Sequence, residues 1–112
     1  MERDFLTCPD DENGDVLWRM LEDGDDLAQA REIDFSVVFP DEGAAMAFAT
    51  QLLREGQKVS FSAYDKAGFP WQVQAHPVLL PTHENISGYE NLLAENAAPF
   101  GGKNDGWGCF EM

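Results

Sequence analysis

The sequence has little positive charge, and this shortage narrows the functions it can serve. Its 112 residues include 7 Lys and Arg against 21 Asp and Glu, which gives a formal net charge of −14. Nucleic-acid binding relies on Lys and Arg that displace counterions from phosphates, so we expect no direct nucleic-acid partner. The charge favours the encounter with a basic partner protein, although acidic side chains also serve simply to keep a helix face solvated.

Long apolar runs and cysteines are also scarce. No run of 18 apolar residues is present, so no membrane span is expected. The first residues are charged and lack the apolar middle of a secretory signal, which favours a cytoplasmic location. Cys8 and Cys109 lie near opposite ends of the chain, and in a cytoplasmic protein such cysteines are more often reduced thiols than a disulfide.

The sequence patterns of common phosphate, calcium and zinc sites are missing. The triplet Gly101-Gly102-Lys103 lacks the spacing of a phosphate-binding loop, because Ala97 and Asn104 occupy positions that require Gly and Ser or Thr. A calcium loop requires an Asp five residues before its Gly, but Arg19 stands five residues before Gly24 and Gly101 five residues before Gly106. His83 is followed four residues later by Ser87 instead of a second histidine, which excludes a zinc helix.

The remaining candidates for catalysis or metal binding are single residues without a pattern. His76 and His83 lie seven residues apart with no cysteine nearby, and nothing positions Cys109 as a nucleophile. We therefore expect a protein without enzymatic activity, cofactor or metal.

Alternation of apolar and polar residues predicts three strands. The clearest case is 33–39, which ends at Pro40. The same pattern predicts a hairpin with strands at 58–64 and 71–76. The short aromatic stretch 105–112, with Trp107 and Phe110, is interpreted as a final strand.

Spacing of three and four residues between apolar positions predicts a first helix at 10–23. Its apolar face would consist of Val16, Leu17, Met20 and Leu21. Asn13-Gly14 weakens the first turns, so the helix is expected to start nearer Asp15.

Two further helices are predicted, each with a capping residue. Asp41 caps a helix that runs to about Glu55, and Thr82 caps a helix that runs to about Ala97. The segment 27–32 is interpreted as a linker or short turn.

The order of elements predicts the fold class. A helix followed by β-α-β-β-α-β gives an α+β, ferredoxin-like sandwich, in which a four-stranded antiparallel sheet carries both later helices on one face. We expect one domain over 1–112, with 1–9 as a loosely ordered lead-in. The open sheet face would show Ser, Gln and Val and no aromatic platform, which argues against RNA binding.

Two stretches invite a functional interpretation. One is the acidic corner at 21–26, and the other is Asp-Gly-Trp-Gly at 105–108. Their structural interpretation is a helix cap and an edge strand whose Trp packs into the core. Their functional interpretation is a surface for a basic protein segment, because Trp is a favoured anchor at interfaces. The candidate partner-binding residues are Asp23, Asp25, Asp26, Asp105 and Trp107.

The same two stretches resemble the family of regulators of ribonuclease E activity, type B (the RraB family). The resemblance rests on Leu-Glu-Asp-Gly-x-Asp at 21–26 and on Asp-Gly-Trp-Gly at 105–108, and it spans roughly residues 10–112. It implies a small acidic ferredoxin-like protein that binds the Arg-rich regulatory part of ribonuclease E and dampens messenger RNA decay without catalysis.

An alternative function remains open from the residues alone. A ferredoxin-like frame can also serve as a small-molecule-binding or sensing module, which would use the open sheet face or the groove beside His76 and His83.

Overall fold

The described residues form three α-helices, six strands and a short 3₁₀ helix at Ala98–Phe100. The computed structural model describes residues 5–6, 8–25, 27–64 and 66–108. In chain order, its helices and strands are α1 (Glu12–Glu22), β1 (Arg31–Glu32), β2 (Asp34–Phe39), α2 (Glu42–Arg54), β3 (Val59–Ala63), β4 (Trp71–Ala75), β5 (Val78–Leu79), α3 (His83–Ala97) and β6 (Lys103–Gly108). Within this part of the chain, no helix combines the length and apolar character needed to cross a membrane.

Four of the strands form the main sheet. Their order is β3-β4-β2-β6, and each neighbouring pair is antiparallel. In this sheet, β4 separates β2 and β3, the strands that flank α2, and β2 separates β4 and β6, the nearest main-sheet strands before and after α3. The predicted α+β class, with a four-stranded antiparallel sheet and an extra N-terminal helix, is confirmed.

The core lies between one face of this sheet and the helices. On β2, the side chains of Phe35, Val37 and Phe39 are at most 1 % exposed. The ring of Phe35 lies 4.6 Å from that of Tyr89 on α3, and Phe39 lies 5.2 Å from Phe48 on α2. Residues of all three helices belong to the same buried cluster, so the alternation in β2 correctly indicated its buried face.

The caps of α2 and α3 are confirmed. The Asp41 carboxylate accepts a hydrogen bond from the Ala44 N–H at 3.0 Å. The Thr82 hydroxyl accepts one from the Asn85 N–H at 3.1 Å. Each of these bonds satisfies a backbone donor that has no partner within the helix.

The first helix lies within its predicted range of 10–23, but the expectation of a start nearer Asp15 was wrong. The helix begins at Glu12, and the Asp11 carboxylate caps it by accepting from the Gly14 N–H at 2.8 Å. Gly14 is buried, and a Cβ built on it would lie 1.7 Å from the Pro9 carbonyl oxygen. The glycine therefore allows the preceding chain to cross close to the helix, and this contact outweighs its poor helix propensity.

The interpretation of 27–32 as a linker was also wrong at its end. Arg31–Glu32 pairs with Val78–Leu79 in a second, two-stranded antiparallel sheet. Two residues are too few to show an alternation, so this sheet had no signal in the sequence. The last main strand begins at Lys103, two residues earlier than predicted, and its predicted end at 109–112 lies outside the described residues.

The lead-in at 1–9 is only partly described. Cys8 within it is buried in the core cluster, whereas the side chains of Phe5 and Leu6 are exposed. Cys109 lies outside the described residues.

Candidate partner-binding cleft

A cleft of about 610 Å³ opens where the N-terminal end of α1 meets α3 and β6. Four of the described residues that line it are acidic and none is basic. The lining residues are Asp11, Glu12, Asn13, Val16, Glu90, Asn104, Asp105, Gly106 and Trp107.

A β-bulge in β6 shapes one wall of this cleft. Trp107 lies opposite Phe35 and Asn104 lies opposite Val37, so β6 has one more residue than β2 across this interval. Gly106, within the bulge, has a φ of +99°, a conformation that favours glycine. Because residues opposite each other share a sheet face, Asn104 and Trp107 both point toward the helices. Regular alternation would have turned one of them away.

Asn13 joins the three walls of the cleft. Its side-chain oxygen accepts a hydrogen bond from the Trp107 indole N–H at 2.9 Å. Its amide donates to the Ser87 hydroxyl at 3.0 Å and to the Glu90 carboxylate at 2.7 Å. Asn104 adds a bond from β6 to the Glu90 carbonyl at 2.9 Å. These bonds hold α1 against α3 and β6 and fix the cleft's shape.

Asp105 forms an ion pair at the edge of the cleft. The Lys66 ammonium lies 2.5 Å from its carboxylate, and this hydrogen bond lowers the pKa of Asp105 and raises that of Lys66. The Tyr64 hydroxyl also donates to Asp105, which raises the pKa of Tyr64. The negative charge of Asp105 is thus largely offset by a neighbour.

Glu12 and Glu90 have no Lys or Arg bridge among the ion pairs of the described residues. Glu12 is exposed in the first turn of α1, and Glu90 accepts from an uncharged amide. Asp11 lies 2.7 Å from the His83 imidazole, as well as capping α1. The described lining of the cleft therefore presents net negative charge beside a half-buried indole.

In the acidic corner at 21–26, one described carboxylate is buried in an ion pair. The Asp25 carboxylate lies 2.7 Å from the Arg31 guanidinium, with side chains 0 % and 4 % exposed respectively. Gly24 ends α1 with a φ of +89°. Asp25 is buried, whereas Asp23 is exposed at the end of the helix. Asp26 lies outside the described residues.

The structure does not bring the two stretches together at one site. Asp105 and Trp107 line the cleft at the start of α1, whereas Asp23 lies at the other end of that helix. Eleven residues at about 1.5 Å each separate these ends by roughly 16 Å.

Sequence reasoning missed Asn13 and Glu90, although a signal was present. Asn13 precedes Val16 and Met20 at helical spacing, so it falls on the buried face of α1. Glu90 stands four residues after Ile86 and three before Leu93, within the apolar face of α3. A polar residue within an apolar face needs a partner, and this requirement marks both positions.

The two histidines do not form a joint site. His83 pairs with Asp11 at the cleft, whereas His76 pairs with Asp34 on the sheet.

The sequence matches a family model described as "Regulator of ribonuclease activity B" over residues 10–109. The matched range includes every lining residue of the cleft and the acidic corner. No curated protein matches the chain.

Proposed function

The chain belongs to the family of regulators of ribonuclease activity B (the RraB family), and we propose that it binds a basic segment of ribonuclease E in the acidic cleft. Members of this family regulate a ribonuclease and are not themselves the enzyme.

The observation that carries the proposal is the composition of the cleft. Carboxylates of Glu12, Glu90 and Asp11 surround one opening, and no basic side chain is among its described lining residues. The chain's overall charge of −14 adds a long-range field of the same sign. Such a field accelerates encounter with a cationic partner, and close carboxylates give hydrogen bonds to guanidinium groups.

The indole of Trp107 gives the cleft an apolar surface next to its charges. Its N–H is already bonded to Asn13, so its ring edge and face are what remain for a partner. An Arg side chain stacks well on an indole while its guanidinium reaches a carboxylate. We assign Asp105 and Trp107 to this surface. Asp23 is exposed, but it lies at the other end of α1, outside the cleft. Asp25 is excluded because its carboxylate is buried with Arg31.

The family match gives no support to the alternative of a small-molecule-binding module.

The test uses calorimetry to measure the affinity of the whole chain for a synthetic peptide from the Arg-rich part of ribonuclease E. The measurement is made at two salt concentrations. We expect affinity to fall between about 0.1 M and 1 M salt, because the screening length shortens from ~10 Å to ~3 Å. A parallel assay measures RNA cleavage by ribonuclease E with and without the chain, where slower cleavage is expected.

Two double variants locate the binding surface. Glu12→Gln with Glu90→Gln removes two charges from the cleft, and the new amide oxygen at position 90 can still accept from Asn13. Glu84→Gln with Glu95→Gln removes two exposed charges of α3 outside the cleft. We expect each cleft substitution to weaken binding about two- to fivefold and the control to have little effect. Equal losses in both variants, or none in either, would contradict the assignment.

A further inference from the structure

A second group of polar side chains lies on the sheet face away from the helices. Glu32, Asp34 and His76 each offer one ligand atom, and these atoms lie within 4.8 Å of one another. We propose that these three residues bind a divalent first-row metal ion of the Zn²⁺ type. The proposal is independent of the acidic cleft and of the ribonuclease partner.

The backbone around all three ligands is held by hydrogen bonds. Glu32 and Asp34 are two residues apart in extended chain, so their side chains leave on the same side. Ile33 between them is 0 % exposed, and its N–H donates to the Pro77 carbonyl at 2.9 Å. The His76 N–H donates to the Lys58 carbonyl at 2.9 Å. The ligands therefore project from a fixed frame, which reduces the entropy lost when a metal binds.

The distances between the ligand atoms suit a small cation. His76 Nδ1 lies 2.6 Å from an Asp34 carboxylate oxygen and 4.0 Å from a Glu32 oxygen. In a tetrahedral zinc site, bonds of about 2.0–2.2 Å place neighbouring ligand atoms roughly 3.4 Å apart. The observed distances lie on either side of this value, so rotations that move each atom by less than about 1 Å would complete the geometry.

The atoms that face away from the proposed metal already have partners. His76 Nε2 lies 2.9 Å from the Ser60 hydroxyl, and the second Glu32 oxygen lies 2.8 Å from the Lys58 ammonium. The 2.6 Å contact with Asp34 is a hydrogen bond that the His76 Nδ1–H donates, so a metal ion would replace this proton. The Ser60 hydroxyl would then accept from the Nε2–H, which leaves the Nδ1 lone pair to the metal. Lys58 likewise holds Glu32 by the oxygen that is not near His76. Outer partners of this kind are typical of histidine and carboxylate metal ligands.

The set of one imidazole and two carboxylates indicates the class of ion. Thiolates, which select soft ions, are not among the three residues, and imidazole is a poor ligand for Mg²⁺ and Ca²⁺. Zn²⁺ and Co²⁺ accept both ligand types. Three protein ligands leave a coordination position for water.

The test titrates the untagged full-length chain with Zn²⁺ by calorimetry and with Co²⁺ by visible absorption. We expect one equivalent to bind, with a Co²⁺ spectrum of nitrogen and oxygen ligation and a raised melting temperature. His76→Gln and Asp34→Asn should each weaken binding at least tenfold, and Ser60→Ala about tenfold through the tautomer of His76. Circular dichroism confirms that each variant is folded.

His83→Gln is the matched control, because it removes the other histidine of the chain and leaves the three ligands intact. Zn²⁺ binding should be unchanged in this variant. Binding that survives His76→Gln, or that disappears in His83→Gln, would overturn the proposal. So would a Zn²⁺ affinity no greater than that for Mg²⁺.

Discussion

The carboxylate of Asp25 and the guanidinium of Arg31 meet 2.7 Å apart, with almost no access to water. Asp25 follows the end of α1, and Arg31 is the first residue of β1, so the pair ties the N-terminal helix to the smaller sheet. Arg31 also donates to the Gln29 carbonyl through two further nitrogens at 3.3 Å, which gives its charge additional partners.

Removal of Asp25 should therefore destabilise the fold. Asp25→Ala removes one carboxylate from direct contact with the buried Arg31 guanidinium, and we expect a loss of about 3–5 kcal/mol in the free energy of unfolding. Urea denaturation measures this loss. Asp23→Ala, at the exposed neighbouring acid, should cost about 0.5 kcal/mol or less. Similar costs for the two substitutions would contradict the importance of the buried pair.

Gly14 should not tolerate a side chain. Gly14→Ala places a methyl group 1.7 Å from the Pro9 carbonyl oxygen, so the lead-in or the helix must shift. We expect a loss of about 1–3 kcal/mol, measured by thermal or urea denaturation. Gly88→Ala is the comparison within α3, where nothing lies within 4 Å of the new Cβ. It should stabilise the protein by roughly 0.8–1 kcal/mol through helix propensity, and a stabilising Gly14→Ala would contradict the packing argument.

Gly106 should be needed for the orientation of Trp107. Gly106→Ala forces a side chain into the left-handed region at φ +99°, with an expected cost of about 1–2 kcal/mol. Because the bulge turns Trp107 toward Asn13, the indole N–H resonance should also move in the NMR spectrum. Gly108→Ala, in the same strand without a positive φ, is the matched control. Equal effects of the two substitutions would show that the bulge does not depend on Gly106.

Asp105 should govern the ionisation of Tyr64. The pKa of Tyr64 is raised by its hydrogen bond to the Asp105 carboxylate and by the negative charge there. In Asp105→Asn the pKa should fall toward the ordinary value of about 10. Tyr89 is the internal control, because burial and the charge of Glu55 raise its pKa to about 12 independently of Asp105. NMR titration of the two tyrosines tests this, and a Tyr64 pKa that does not fall would contradict the contact.

The ion pair between Asp105 and Lys66 should contribute to stability within a defined pH window. The pKa of Asp105 is lowered in the folded protein, so this contribution is present above the unfolded value of about 3.9 and is lost as pH falls through the folded value. Lys66→Met should flatten the stability curve below about pH 4, as measured by urea denaturation. If the pH dependence of stability below about pH 4 were the same in Lys66→Met as in the unmodified protein, the contribution of the ion pair would be contradicted.

Local patterns were sufficient to predict most of the main sheet and the helices. The alternation around Phe35 reports a half-buried strand, and the caps Asp41 and Thr82 act within three residues of their own position. These signals are local, so they can be recognised without knowing the fold.

The features that the sequence did not predict depend on contacts between residues far apart in the chain. Asn13 bonds to Trp107 across 94 positions in the sequence, and Asp25 is buried because Arg31 folds back onto it. The bulge at Gly106 arises from the pairing of β6 with β2, which the sequence of β6 alone does not reveal. The cleft combines both effects, which is why only Asp105 and Trp107 of its lining were predicted.

We propose that a basic segment of ribonuclease E occupies the acidic cleft, and NMR of the ¹⁵N-labelled chain can follow this binding residue by residue. Trp71 stacks on Phe61 away from the cleft, so its indole N–H is the reference for that of Trp107. We predict that the Arg-rich peptide of ribonuclease E shifts the Trp107 signal together with the amides of Glu12 and Glu90, and leaves Trp71 unchanged. Shifts confined to residues outside the cleft would show that the peptide does not bind in the cleft.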